Sequence, residues 1–253
     1  MKDPDAVRTR ARRGQGDRLR GELLEAATKL LDEGGESALK MRAIAIRARV
    51  TTPAVYRHFK DKSELVDAVC LRAWADLERQ MLDAAAESKD PFQALRCRAA
   101  AYVRFALGHA VQYRLLMAPS VNHQRSNSAG DTAARALLDH LVEAVKPCVE
   151  AGVFRGDPLQ ITLGIWAAMH GCVALSMSQP QLPWSGDIEA FAEHVGRMSG
   201  LGSALLSRIE SLPTPPSSVA YARVFDRAAS DLAADVRNAP ARGDRRAGHV
   251  LAR

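Results

Sequence analysis

Apolar residues recur at helical spacing along most of the chain. Leu23, Leu24, Ala27, Leu30 and Leu31 mark one face of a helix beginning near Arg18, with Asp17 placed to cap it and Gly34-Gly35 placed to stop it. Met41, Ile44 and Ala45 share a face of a short second helix over about 40–47. After Ala48-Arg49-Val50, the segment TTPAVYRHF (51–59) predicts a third helix. Thr51 takes its cap position, and Pro53 lies in the first turn, where a missing N–H costs little. Val55 and Phe59, four apart, face the same core. Asp61 and Glu64 have the spacing of a capping box ahead of a long fourth helix over about 62–87, which Ser88-Lys89-Asp90-Pro91 breaks. Further helical patterns run over about 91–108, 111–117, 129–151, 157–178 and 187–210. Pro147, inside one of them, predicts a kink or an early end. No alternating run is long enough for a strand, so the expected fold class is all-α.

The polar positions of the third helix need their own explanation. Two short helices joined by a tight turn, the second opening with small polar residues, describe a helix-turn-helix, whose second helix enters the DNA major groove N-terminus first. Thr51 and Thr52 are short enough to let the backbone approach a phosphate or base edge. Tyr56 and His58 carry donors for phosphate oxygens, and Arg57 reaches either a phosphate or a guanine edge. The division expected is an N-terminal helix-turn-helix domain over 18–62, joined by the long fourth helix to a helical domain over 63–211. Residues 1–17 read as a flexible basic arm. LPTPPSS (212–218) reads as a linker, 219–237 as a marginal helix, and the tail to 253 as poorly ordered.

Charge supports this division. Residues 1–62 hold 15 Lys and Arg against 9 Asp and Glu, a net +6. Residues 63–212 hold 13 against 16, a net −3, and residues 213–253 hold 7 against 4, a net +3. A basic head on a mildly acidic body suits a partner that is a polyanion. The arginines of the arm, Arg8, Arg10, Arg12 and Arg13, suit the backbone or the minor groove. The four cysteines lie far apart without zinc-ligand spacing, as expected of a cytoplasmic chain, and the charged N-terminus has no signal-peptide pattern. Residues 161–177 carry no charge but are short for a membrane span and contain His170, so a buried or interface helix is expected, and no membrane partner.

The run LLEAATKLLDEGGESALKMRAIAIRARVTTPAVYRHFKDKSELVDAV (23–69) resembles the DNA-binding domain of the tetracycline-repressor (TetR) family. Its marks are AIA at 43–45, a turn ending in Val50, the VYRHF run, and Lys62 three residues after Phe59. The resemblance implies phosphate contacts from Tyr56, His58 and Lys62, and base contacts from Thr51, Thr52, Pro53 and Arg57. Lys40, Arg42 and Arg49 complete the expected DNA-facing set. Two positions depart from the family pattern. Arg49 stands where glycine is usual, which means either a different turn or about 1 kcal/mol of strain, with a phosphate contact as a further role. Lys40 stands where Ser or Thr usually caps the second helix, a loss of ~1 kcal/mol.

Residues 91–117 and 165–175 resemble a group of C-terminal domains of this family marked by a Trp followed by a His-Gly pair, here Trp166, His170 and Gly171. The resemblance implies a regulator that binds a double-stranded DNA operator as a homodimer, through the helices at about 157–178 and 187–210, and answers to a small-molecule effector. Gly164, Ala167, Ala168 and Gly171 form a stripe that permits close helix packing. Trp74, Tyr102, Phe105, Met117, Trp166 and His170 form the expected ligand pocket, suited to a small apolar effector. A palindromic operator with half-sites about 34 Å apart, or a multiple, follows from a two-fold dimer.

Other classes fare less well. His140 and Glu143 are three apart on a helix but lack a third metal ligand, and Gly200-Leu201-Gly202 lacks the strand and third glycine of a dinucleotide fingerprint. No P-loop or nucleophile elbow occurs, so neither an enzyme nor a cofactor or metal protein is expected. A DNA-binding protein without a ligand would keep its DNA affinity in the presence of every small molecule. A helical adaptor with a basic head would bind DNA weakly and without regard to sequence.

Overall fold

A computed structural model describes residues 15–117, 129–184, 187–206, 208–209 and 217–238. The expected basic arm lies outside them, apart from its last residues. Ten α-helices and no strand occur among the described residues: α1 (Gln15–Gly34), α2 (Met41–Arg47), α3 (Thr52–Tyr56), α4 (Lys62–Ala85), α5 (Pro91–Gly108), α6 (Ala110–Met117), α7 (Ala129–Glu150), α8 (Pro158–Ser178), α9 (Ile188–Leu206) and α10 (Ser218–Asn238). A single 3-10 turn, Glu36–Ala38, follows α1.

Local chemistry sets most of these ends. Gly35 adopts φ 68°, and its N–H donates to the Leu31 carbonyl at 2.8 Å, closing α1. Asp17 lies inside the first turn of α1 rather than capping it, where its charge still favours the helix N-terminus. At α4 the Glu64 N–H donates to Asp61 Oδ1 at 2.9 Å, while the Glu64 carboxylate reaches back to the N–H of Lys60 at 2.7 Å. This is a capping box displaced by one residue. Pro147 does not end α7, which runs on to Glu150; the proline falls in the last turn, where few bonds depend on it.

The packing forms two units, one of Met1–Gln80 with Arg104–Leu137, the other of Met81–Val103 with Leu138–Arg253. The expected boundary after residue 62 is therefore not a division of packing. In the first unit, Leu23, Leu31, Ile44, Val55 and Phe59 share a core with Leu65 and Val69 of α4, and Val111 and Leu115 of α6 pack against it. Gln112 of α6, almost fully buried, donates to both carboxylate oxygens of Asp32 on α1 at 3.1 and 3.2 Å. The first turns of α4 and the whole of α6 are thus part of the head.

In the second unit, α8 packs most extensively on α9. By length and composition α8 is apolar enough to cross a membrane, and 33% of its most apolar window is buried. The helix expected over 219–237 is present as α10, a 21-residue amphipathic helix packed against α9; the tail beyond it lies outside the described residues. Arg208, with no exposed side-chain surface, donates to the carbonyls of Gly152, Val153 and Ala204 and to Asp235 of α10 at 3.0 Å. Asp235 also pairs with Arg155 at 2.7 Å. Gly152, at φ 72°, has no room for a side chain: a Cβ there would stand 2.9 Å from the Asp235 backbone. The four cysteines are free thiols, and burial pushes Cys70 up to about 11, which keeps it protonated and unreactive.

Candidate functional site

The helix-turn-helix is built as its residues dictate. Met41, Ile44 and Ala45 of α2 and Ala54 and Val55 of α3 are buried, which turns the intervening polar residues outward. The turn keeps the glycine-type conformation without glycine: Arg49 has φ 55°. Its N–H donates to the Ile46 carbonyl at 3.1 Å, and the Val50 N–H donates to the Ala45 carbonyl at 2.9 Å. Of the two alternatives at this position, the turn is retained and the strain accepted. Lys40 occupies the cap position of α2 with no side-chain capping bond. Thr51 likewise stands at the cap of α3 with extended backbone, but its hydroxyl makes no capping bond. The third helix ends earlier than its sequence suggests, with Arg57 as its C-cap and the His58 N–H bonded to the Val55 carbonyl at 2.9 Å.

The side chains left outside fall into two groups. Thr51, Pro53, Tyr56 and Arg57 are exposed, with Thr52 and His58 half-buried beside them. Lys40, Arg42, Arg49, Arg57 and Lys60 are exposed, and none makes a side-chain hydrogen bond or ion pair among the described residues. Lys60 belongs to this free set although sequence reasoning omitted it; its place between Phe59 and the α4 cap was the available signal. Two other cations are occupied. Arg47 forms a bidentate pair with Glu33 at 2.6 and 2.5 Å, which holds the Glu33 carboxyl below the usual carboxylate range. Lys62 Nζ donates to the Glu36 carbonyl at 3.2 Å and lies 3.6 Å from its carboxylate. A phosphate at Lys62 therefore competes with Glu36. The aromatic ring of Phe59 is roofed by Arg20, whose guanidinium carbon stands 4.9 Å from the ring centre.

The six residues expected to form a ligand pocket separate into two sets. Trp74, Phe105 and Met117 belong to the first unit, where Phe105 is buried with its ring 5.0 Å from that of His109. Tyr102, Trp166 and His170 belong to the second and form a hydrogen-bonded chain. Trp166 Nε1 donates to Tyr102 Oη at 3.2 Å, and Tyr102 Oη lies 3.3 Å from His170 Nδ1. Trp can only donate, so the Tyr102 hydroxyl accepts from it, while the direction of its bond with Nδ1 follows the His170 tautomer. Burial lowers the His170 pKa and favours the neutral ring.

Tyr102 and Trp166 line a narrow apolar cavity of about 40 Å³ with Met81, Leu95, Leu141, Val145 and other residues of α5 and α8. A larger one of about 240 Å³ adjoins it between α5, α8 and α9, sharing Leu95, Ala99, Ile165 and Met169 as walls. The second unit therefore has adjoining apolar space, but most of its lining was not foreseen. Helical spacing shows that Leu95 or Leu141 is buried, not which neighbour it meets.

Comparison with known proteins bears on both units. The family model described as "Bacterial regulatory proteins, tetR family" matches residues 23–69, and that described as "Tetracyclin repressor-like, C-terminal domain" matches residues 95–198. The transcriptional repressor NicS of Pseudomonas putida is 26% identical over 149 residues, which cover 59% of this chain and 70% of that protein. The transcriptional activator FasR of Mycolicibacterium smegmatis is 35% identical over 115 residues, covering 46% of this chain and 52% of its own. The chain thus spans between about half and seven-tenths of these curated relatives. A solved structure of a protein of unknown function from Rhodococcus sp. RHA1 superposes with a TM-score of 0.63 at 27% identity, covering 74% of this chain and 95% of that one.

Proposed function

The chain belongs to the tetracycline-repressor family of DNA-binding transcriptional regulators, and on that premise we propose that it represses transcription as a homodimer on a palindromic operator until a small apolar effector releases it. One observation carries the reading. Lys40, Arg42, Arg49, Arg57 and Lys60 leave five exposed guanidinium and ammonium groups unpaired around α2 and α3, while Arg47 is tied back by Glu33. Unpaired surface cations beside a presented helix suit phosphates, because no internal carboxylate has to be displaced first. Exposed Tyr56, and Thr51 and Pro53 at the start of α3, are then placed for positioning and base contacts.

The outer face of α8 supports a second copy as partner. Gly164, Ala167 and Leu175 are exposed there, without a charged residue on the helix, and Met198 and Leu201 of α9 are more than half exposed. A small-residue stripe flanked by large apolar side chains packs helix to helix at short range. The apolar space of the second unit supports the effector. Helices α4 and α5 each carry residues of both units. Release still requires that the effector bind one arrangement of the dimer better than the other.

The test is a DNA-binding titration at several salt concentrations, using duplexes from upstream of the protein's own gene. Tight binding to one fragment, a steep salt slope and loss with Tyr56→Ala are expected. Equal weak binding to all fragments, unchanged by Tyr56→Ala, would overturn a sequence-specific reader of that region. A reporter fused to the bound fragment gives the sign of regulation: expression rises when the regulator is removed.

A further inference from the structure

Arg98 lies on α5, half-buried, and makes no hydrogen bond or ion pair among the described residues. It is the one charged residue on the wall of the narrow apolar cavity. The other polar atoms of that wall are already engaged. The Thr162 hydroxyl donates to the Pro158 carbonyl at 2.8 Å, and the Tyr102 hydroxyl is held between Trp166 and His170. Arg98 also lines a wider cleft of about 430 Å³, together with Ser88, His140, Pro147 and Glu143, whose carboxylate is paired with Lys146 and makes no bond to Arg98. Arg98 therefore borders both a narrow apolar cavity and a wider cleft.

A partly desolvated cation without a counter-ion is an unfavourable arrangement that a bound anion relieves. A planar guanidinium matches a carboxylate or phosphate with paired, charge-assisted hydrogen bonds. A neutral polar head would leave the charge unpaired. The space beyond Arg98 is narrow and apolar and adjoins the cavity of about 240 Å³ across shared walls, and Met81 and Met169 are side chains that rearrange easily around a chain passing between them. Such a lumen admits a slender chain better than a fused ring system. We propose that the effector is an anionic amphiphile: a single unbranched apolar chain in the cavity, ending in a carboxylate or phosphate paired with Arg98. This assignment rests on the effector-responsive reading above and names the ligand class for it.

The test is calorimetric titration of the full chain with decanoate, decyl phosphate, decanol and propanoate, each below its micellar concentration. Decanoate or decyl phosphate, whichever head fits, is expected to bind at least about tenfold more tightly than decanol, and propanoate not to bind measurably. Arg98→Gln should weaken the preferred anion by about tenfold or more and leave decanol unchanged, while Arg98→Lys restores part of the preference. Equal affinities for decanol and both anions, a preference that survives Arg98→Gln, or binding of none of the four would overturn the assignment. Operator binding measured in parallel separates the two claims. Arg98-dependent binding that leaves operator affinity untouched keeps the ligand class and refutes effector-responsive release. Release by some other compound, with no anionic amphiphile bound, does the reverse.

Discussion

Replacing Arg49 tests the strained turn and the DNA-facing role of this residue together. At φ 55° a residue bearing a Cβ is disfavoured by about 1–2 kcal/mol. Glycine removes that strain but gives back about 0.5–1 kcal/mol through its greater freedom in the unfolded chain. The turn's two backbone hydrogen bonds do not depend on the side chain. The Arg49 side chain is exposed and has no partner among the described residues, so Arg49→Gly and Arg49→Ala remove the same contacts. Their difference reports the backbone alone. The glycine variant should exceed the alanine variant in stability by about 0.5–1 kcal/mol. Urea titration read by hydrogen exchange in α1–α3 measures it within the unit concerned. Both variants should lose operator affinity equally, and the slope of log affinity against log salt should shrink by about 0.9 if one phosphate contact is lost. An alanine variant as stable as the glycine variant would refute the strain. An unchanged salt slope would refute the phosphate contact.

Three further outcomes follow from the second unit. Gly152→Ala places a Cβ 2.9 Å from the Asp235 backbone in a left-handed conformation; a loss of at least about 2 kcal/mol is expected, with faster hydrogen exchange in α10, and unaltered exchange there would contradict it. Asp235→Ala leaves the buried Arg208 with only carbonyl acceptors and removes the partner of Arg155, so about 2–3 kcal/mol should be lost in denaturant melts; a loss under about 0.5 kcal/mol would show that the carbonyls suffice. Burial lowers the His170 pKa, so the unfolded chain takes up this proton more readily than the native state. Stability is then full above the ordinary value of 6.5 and falls as pH drops through it towards the lower native value. His170→Gln should flatten that part of the stability–pH curve, and parallel curves for the two proteins would exclude His170 as the cause.

Much of the helical scaffold was legible in the sequence because it depends on neighbours three or four residues apart. Apolar periodicity marks α5, α7, α8 and α9 to within a few residues, and Gly35 and the Asp61–Glu64 pair set helix ends by bonds within a single turn. The outward face of α3 was legible for the same reason: once Val55 and Phe59 point inward, Tyr56 and Arg57 cannot. The bounds of the tail helix were legible to within a residue, but not its packing on α9, because a segment with modest propensity is stabilised only when something buries its apolar face.

What tertiary structure alone decided is the pairing of residues distant in sequence. Nothing local distinguishes Arg47, held by Glu33 fourteen residues away, from the unpaired Arg42 and Arg49. Lys62 reads as a free phosphate ligand until the fold brings Glu36 to it. Trp74 and Phe105 look as suited to a pocket as Tyr102 and Trp166, yet the two pairs fall in different units. Arg98 is an ordinary helical arginine by sequence, and its position on an apolar wall comes from which helices meet there. The amino-acid sequence by itself determined the helices and the side chains left exposed around α3, because backbone hydrogen bonds and side-chain periodicity act within a turn or two. The packing of α6 into the head, the pairing of Arg208 with Asp235 of α10 and the lining of the cavity were decided only when the helices packed, because an apolar stripe specifies that it must be buried and not against what.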